Sequence, residues 1–167
     1  MIDIFAADEQ SDLDIDLSRW SELVRSALTD EGVRGPAEVS LIFANEVAMT
    51  ELNEKFMGRS GPTDVLSFPI DDEPTPTGRN PDAGGTGPGD PPELEIPQLV
   101  GDIVICPIVA SRNAVEHERS VDDEIALLAV HGVLHLLGWD HAVDAEADKM
   151  ETRERELLAR HYRAVNS

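Results

Sequence analysis

His131 and His135 are the only ionisable side chains in the run at residues 125–137 (IALLAVHGVLHLL). Residues at i and i+4 share a helical face, with Cβ atoms about 5–6 Å apart, so the two imidazoles point the same way. The rest of the run is apolar all round, which predicts an interior helix. Two imidazoles buried side by side need partners, because an unpaired buried polar group costs on the order of 1–3 kcal/mol. A shared metal ion satisfies both. Gly138 then lets the chain turn, and His141 follows three residues later, able to return beneath the same face. Three imidazoles with an open fourth position are the arrangement of a catalytic zinc, whose bound water is acidified to a pKa of about 7. The expected centre is one Zn2+ per chain, held by His131, His135 and His141.

Two carboxylates could support that centre. Asp140 is a candidate acceptor for an imidazole N–H, or else a cap for the following turn. Glu124 lies seven residues before His131, on nearly the same helical face, and could orient a ligand or water. A helix-start acid near the positive end of the dipole is the commoner role for such a residue. His-Glu-x-x-His peptidases place their general base directly after the first histidine, and here that position is Gly132. Peptide hydrolysis by that route is therefore disfavoured unless Glu124 or Asp140 supplies the base. His117, among Glu116, Glu118 and Arg119, reads as part of a solvated face, His161 stands near the C-terminus beside Arg160 and Arg163, and neither reads as a ligand, while Cys106 reads as a small buried apolar residue. A second candidate is Arg59, flanked by Gly58 and Gly61 ahead of Pro62-Thr63-Asp64. A loop arginine can present its planar fork to a phosphate. Asp64 reads as a turn residue that accepts backbone N–H groups.

The elements that must carry these residues alternate between strand and helix patterns. Strands are expected at 2–5, 38–44, 65–70 and 99–106. Helices are expected at 17–31, ended by Gly32, and from an Asn45 cap to about 57, ended by Gly58. Three more are expected at 107–119, opened by Pro107, at 122–137, and from about 144 towards 162. The fold class is α+β: one domain over residues 1–167, a sandwich of a small, roughly four-stranded mixed sheet with about five helices, one of them a zincin-like metal helix. Strand order is not readable from the sequence. Residues 71–98 hold seven of the 11 prolines, five of the 12 glycines and no aromatic residue. That composition cannot bury enough apolar surface to offset its ordering entropy, so a flexible acidic excursion is expected there.

Composition narrows the function. A net charge of −21 excludes an overall basic nucleic-acid clamp, though not a local basic site. Thirteen of the 34 acids fall within residues 1–16 and 71–98, so Arg59, Arg112 and Arg119 could still line a groove elsewhere. A single cysteine excludes an internal disulfide framework. No stretch approaches the roughly 18 apolar residues of a membrane span, and the N-terminus has no signal-peptide pattern. A reduced, cytoplasmic protein is expected.

Together, these stretches resemble the YbeY family of bacterial endoribonucleases and ribosomal RNA maturation factors. The resemblance rests on Asn53-Glu54-Lys55-Phe56, Arg59, PTDVLSFP at 62–69, GDIVIC at 101–106, HGVLHLLGWDH at 131–141, and Met150-Glu151. It implies that His131, His135 and His141 match the family's zinc ligands and that Arg59 matches its functional arginine. Trp139 stands where a tyrosine is usual. The implied activity is cleavage of single-stranded RNA, including 3′-end maturation of small-subunit ribosomal RNA, and ribosome quality control. The implied partners are that RNA and the ribosome or small-subunit assembly proteins, with no membrane. Binding to free RNA is expected to be weak and salt-sensitive. Two other classes fit the same residues: another zinc hydrolase, acting on peptides or small molecules, and a non-catalytic zinc-containing ribosome-assembly factor. Structural zinc sites are normally closed by four protein ligands, whereas three histidines are grouped here.

Overall fold

Caps written into the sequence start the helices of the computed structural model, which describes residues 2–33, 35–69, 98–138 and 144–163. The Asp16 carboxylate accepts the Arg19 N–H at the head of α1 (Leu17–Asp30). The Asn45 side chain accepts the Ala48 N–H at the head of α2 (Glu46–Leu52). α3 (Pro107–Glu116) opens on a proline, whose missing N–H would have had no helical partner there. Ser120 accepts the Asp123 N–H and starts α4 (Val121–Leu136). α5 (Asp144–Leu157) completes the set. Each side-chain cap satisfies one of the N–H groups that a first turn leaves unpaired.

Two helices loosen before they end. The helix expected to run from Asn45 to about residue 57 is α2 followed by a π-helical turn, Asn53–Met57, closed by Gly58 in the left-handed region at φ 69°. The last helix likewise passes into a π-helical turn, Leu158–Arg163. α3 stops three residues short of its expected end, at a turn where Arg119 N–H donates back to the Ala114 carbonyl.

The four strands are β1 (Ile2–Glu9), β2 (Ala37–Ala44), β3 (Val65–Pro69) and β4 (Gln98–Ile105). Their order in the sheet is β1-β2-β4-β3. β1 and β4 run parallel to β2, and β3 runs antiparallel along the other side of β4. The mixed, four-stranded α+β architecture is the expected one. β1 is longer than its expected 2–5, extending to Glu9. Of the 71–98 excursion, only Gln98 lies within the described residues, as the first residue of β4.

Alternation along the strands splits the core in two. Val39, Leu41, Phe43, Ile103 and Ile105 pack with α1 and α4, together with Trp20, Leu28 and Leu134. On the opposite face, Ala44, Met49, Leu66, Val104 and Cys106 form a smaller cluster with Ile108 and Val109. Cys106 is fully buried, as expected, and burial pushes its thiol pKa up. α4 lies deepest, with Ile125, Ala126, Ala129, Val130, Val133 and Leu134 almost wholly covered. Burying each of its larger aliphatic side chains contributes about 1.5–3 kcal/mol, so the helix is anchored along its length.

Candidate metal centre

α4 carries both central histidines on successive turns of one face. Their rings meet at a centroid distance of 4.5 Å, with planes inclined by 70°. Between them, Gly132 faces the sheet. A Cβ at that position would lie 2.9 Å from Ile103 Cγ2 and 3.3 Å from Ser67 Oγ. The helix therefore rests almost backbone-to-side-chain on β4 and β3. A glutamate at 132 would be driven into the sheet, which is the packing reason for the missing peptidase base.

His131 opens onto a cavity of about 300 Å³ that is also lined by Ala147, Met150, Glu151 and Glu154. Its Nδ1 lies 2.5 Å from Glu154 Oε2. Glu154 is a carboxylate of α5 that is only 7% exposed. Sequence reading missed this residue. Its partner lies 23 positions away on another helix, and only the docking of α5 on α4 brings the two together.

Imidazole nitrogens are donors that zinc accepts readily, and a pair on one face with a carboxylate behind one ring fits such an ion. Among the described residues no group of three possible metal donors occurs. His141 and Asp140, like Trp139, lie outside the described residues.

Glu124 sits elsewhere. Its carboxylate, 2% exposed, lies 3.2 Å from His117 Nδ1 and 3.4 Å from an Arg119 guanidinium nitrogen. The turn between α3 and α4 delivers these two partners. His117 is thus bonded and not merely solvated, and Arg119 is committed to a carboxylate. Arg112 is committed too, with bonds of 2.8 and 3.2 Å to the two Glu46 oxygens. His161 likewise has a partner, with Nε2 3.1 Å from Asp30.

Arg59 is exposed on the loop that leads into β3, the strand against which Gly132 packs. Asn53, itself buried, pins that loop at both ends. Its carbonyl accepts the Arg59 N–H at 3.3 Å, and its side-chain amide donates to the Gly61 carbonyl at 2.9 Å. Asp64 accepts from the Asn113 side-chain amide at 3.0 Å, so its carboxylate joins the same loop to α3 through a side chain and not through the backbone N–H groups expected.

The family model described as Endoribonuclease YbeY matches residues 5–162. The chain belongs to the YbeY family. Relatives named Endoribonuclease YbeY include one from Salinispora tropica, 41% identical over 150 residues and covering 90% of each chain. Another, from Thermobifida fusca, is 40% identical over 150 residues, covering 90% of this chain and 88% of that one. The solution structure of TM1509 from Thermotoga maritima has the same fold, at a TM-score of 0.54 and 24% identity over 96% of this chain and 91% of that one. The YbeY match contains the Arg59 loop, all of α4 and the Glu154 helix.

Proposed function

We propose that this chain is a metal-dependent endoribonuclease of single-stranded RNA. It acts in the cytoplasm, in 3′-end maturation of small-subunit ribosomal RNA and in ribosome quality control. It carries one zinc ion, with the ribosome or its small-subunit assembly proteins as partners. The name Endoribonuclease YbeY, shared by relatives at about 40% identity, supports the activity. The observation that carries the metal reading is the pair of imidazoles in edge contact on one face of a buried helix, with centroids 4.5 Å apart. Among the described residues no helix is long and apolar enough to cross a membrane.

His131, His135 and His141 would hold the ion. When bound there, zinc would supply Lewis acidity towards a phosphate oxygen and would make an attacking water or ribose hydroxyl more acidic. The chain's own contribution is positional. The apolar faces of α4 fix the two rings, and Asn53 fixes the loop that carries Arg59. The Arg59 guanidinium would contact the scissile phosphate and stabilise charge that develops there. With no carboxylate at position 132, the chain lacks the base that His-Glu-x-x-His peptidases carry directly after their first histidine.

The test is cleavage of single-stranded RNA and of casein, each with and without a chelator. RNA cleavage that disappears on chelation and returns with zinc, with casein intact, is the expected result. Casein cleavage, or RNA cleavage indifferent to the chelator, would overturn the reading. Arg59→Ala is expected to lower RNA cleavage by about 100-fold or more while zinc content stays the same. Unchanged cleavage would remove Arg59 from the site.

A further inference from the structure

We infer that Glu154 is a positioning residue of the metal centre: its carboxylate accepts the Nδ1–H of His131 and leaves Nε2 as that ring's donor atom. The inference rests on the metal reading above and deepens it. An ionised carboxylate has no proton to give, so a 2.5 Å contact with a neutral imidazole requires the proton on the ring nitrogen. The other nitrogen then carries the lone pair. Metal-binding imidazoles commonly donate their second N–H to a carboxylate, which fixes both tautomer and ring orientation.

Three further observations separate this pair from an ordinary ion pair. First, the Glu154 carboxylate is bonded to His131, while the guanidinium of the neighbouring Arg155 bonds to Thr152 Oγ1 at 3.4 Å. Second, the carboxylate and His131 line the same cavity, so the bond sits at the site and not on a remote surface. Third, the element that carries Glu154 is held firmly: Met150 and Leu157 of α5 are 1% and 0% exposed within the main core. The ring is therefore braced from a rigid helix.

The full-length protein, its Glu154→Ala variant and its Glu154→Gln variant test this with two measurements. In nitrogen-15 histidine spectra of the metal-free protein, wild type is expected to show His131 protonated at Nδ1, a preference that Glu154→Ala loses. In zinc titrations against a competing chelator, Glu154→Ala is expected to bind about 10–100-fold more weakly, the usual cost of removing such a partner. Glu154→Gln keeps a carbonyl acceptor of the same shape and is expected to fall between the two. A wild-type His131 proton on Nε2 would overturn the inference. So would undiminished zinc affinity in Glu154→Ala, or a loss in Glu154→Gln equal to that in Glu154→Ala, which would make Glu154 itself a ligand. Wild-type protein that takes up no zinc would instead remove the metal reading, and the positioning role with it.

Discussion

The two ends of α4 each bury a glutamate against a histidine, yet they are built for different purposes. At the N-terminal end, Glu124 meets His117 and Arg119 beside the Ser120 cap, in the first turn, where the helix dipole favours negative charge. Every group there is answered by a complementary one, so the cluster holds the α3–α4 turn in place. At the C-terminal end, Glu154 lies against Nδ1 of His131 at 2.5 Å, and that ring meets the edge of His135 at a centroid distance of 4.5 Å. A buried carboxylate–imidazole contact therefore marks a candidate centre only when a second ring shares the face.

The contrast can be broken by substitution. The largest effect is expected for His135→Ala: loss of zinc by elemental analysis and a fall in RNA cleavage of at least about 100-fold. The denaturation midpoint of the metal-free protein should move little, because His135 is not part of the packed core. A collapse of the metal-free fold would show the histidine end to be structural after all. Next is Gly132→Ala, whose Cβ would press on Ile103 at 2.9 Å. Overpacking of this kind costs about 1–3 kcal/mol in urea denaturation, and zinc affinity should fall because α4 must lift from the sheet.

Glu124→Ala is the mirror experiment. It should cost about 1–3 kcal/mol and leave zinc affinity untouched, since Arg119 and His117 are exposed enough to rehydrate. A drop in affinity matching that of Glu154→Ala would erase the distinction. The smallest effect is expected at Asp30, outside α4. Burial raises its pKa, but bonds from His161 and Arg160 and the charges of Arg160 and Arg153 outweigh this and leave it lowered. Its contribution to stability is therefore present above the ordinary carboxylate pKa of about 4 and is lost as pH falls through the lower folded value. Asp30→Asn should flatten the dependence of stability on pH across that acid range.

What could be read beforehand follows from how local each signal is. The shared face of His131 and His135, the Asn45 cap, the Pro107 start and the Gly58 stop each depend on a few neighbouring residues, and each is present as expected. Strand order depends on which segments meet in space, and the spacing of residues along one chain does not encode it. The same limit hid Glu154, which sits in a polar helix (DAEADKMETREREL) where it resembles the other acids. Glu124 shows the same limit: helical periodicity could not anticipate that the preceding turn brings His117 and Arg119 to its carboxylate. The π-helical turns were hidden because an α-periodic pattern continues through them with one residue more per turn. His141 and Asp140 lie outside the described residues, so the third ligand rests on spacing and resemblance.

Arg153, the residue just before Glu154, bonds to Glu31 and to the Asp30 carbonyl at the far end of α1. Consecutive residues on a helix project about 100° apart, so fastening one flank of α5 sets the bearing of the next. The guanidinium works like a set-screw on a shaft: it touches nothing in the cavity, yet it fixes the roll angle at which the carboxylate arrives. Alignment of the histidine ring is thus referenced to α1, and drift there would reach the centre as rotation before any contact around the rings had changed.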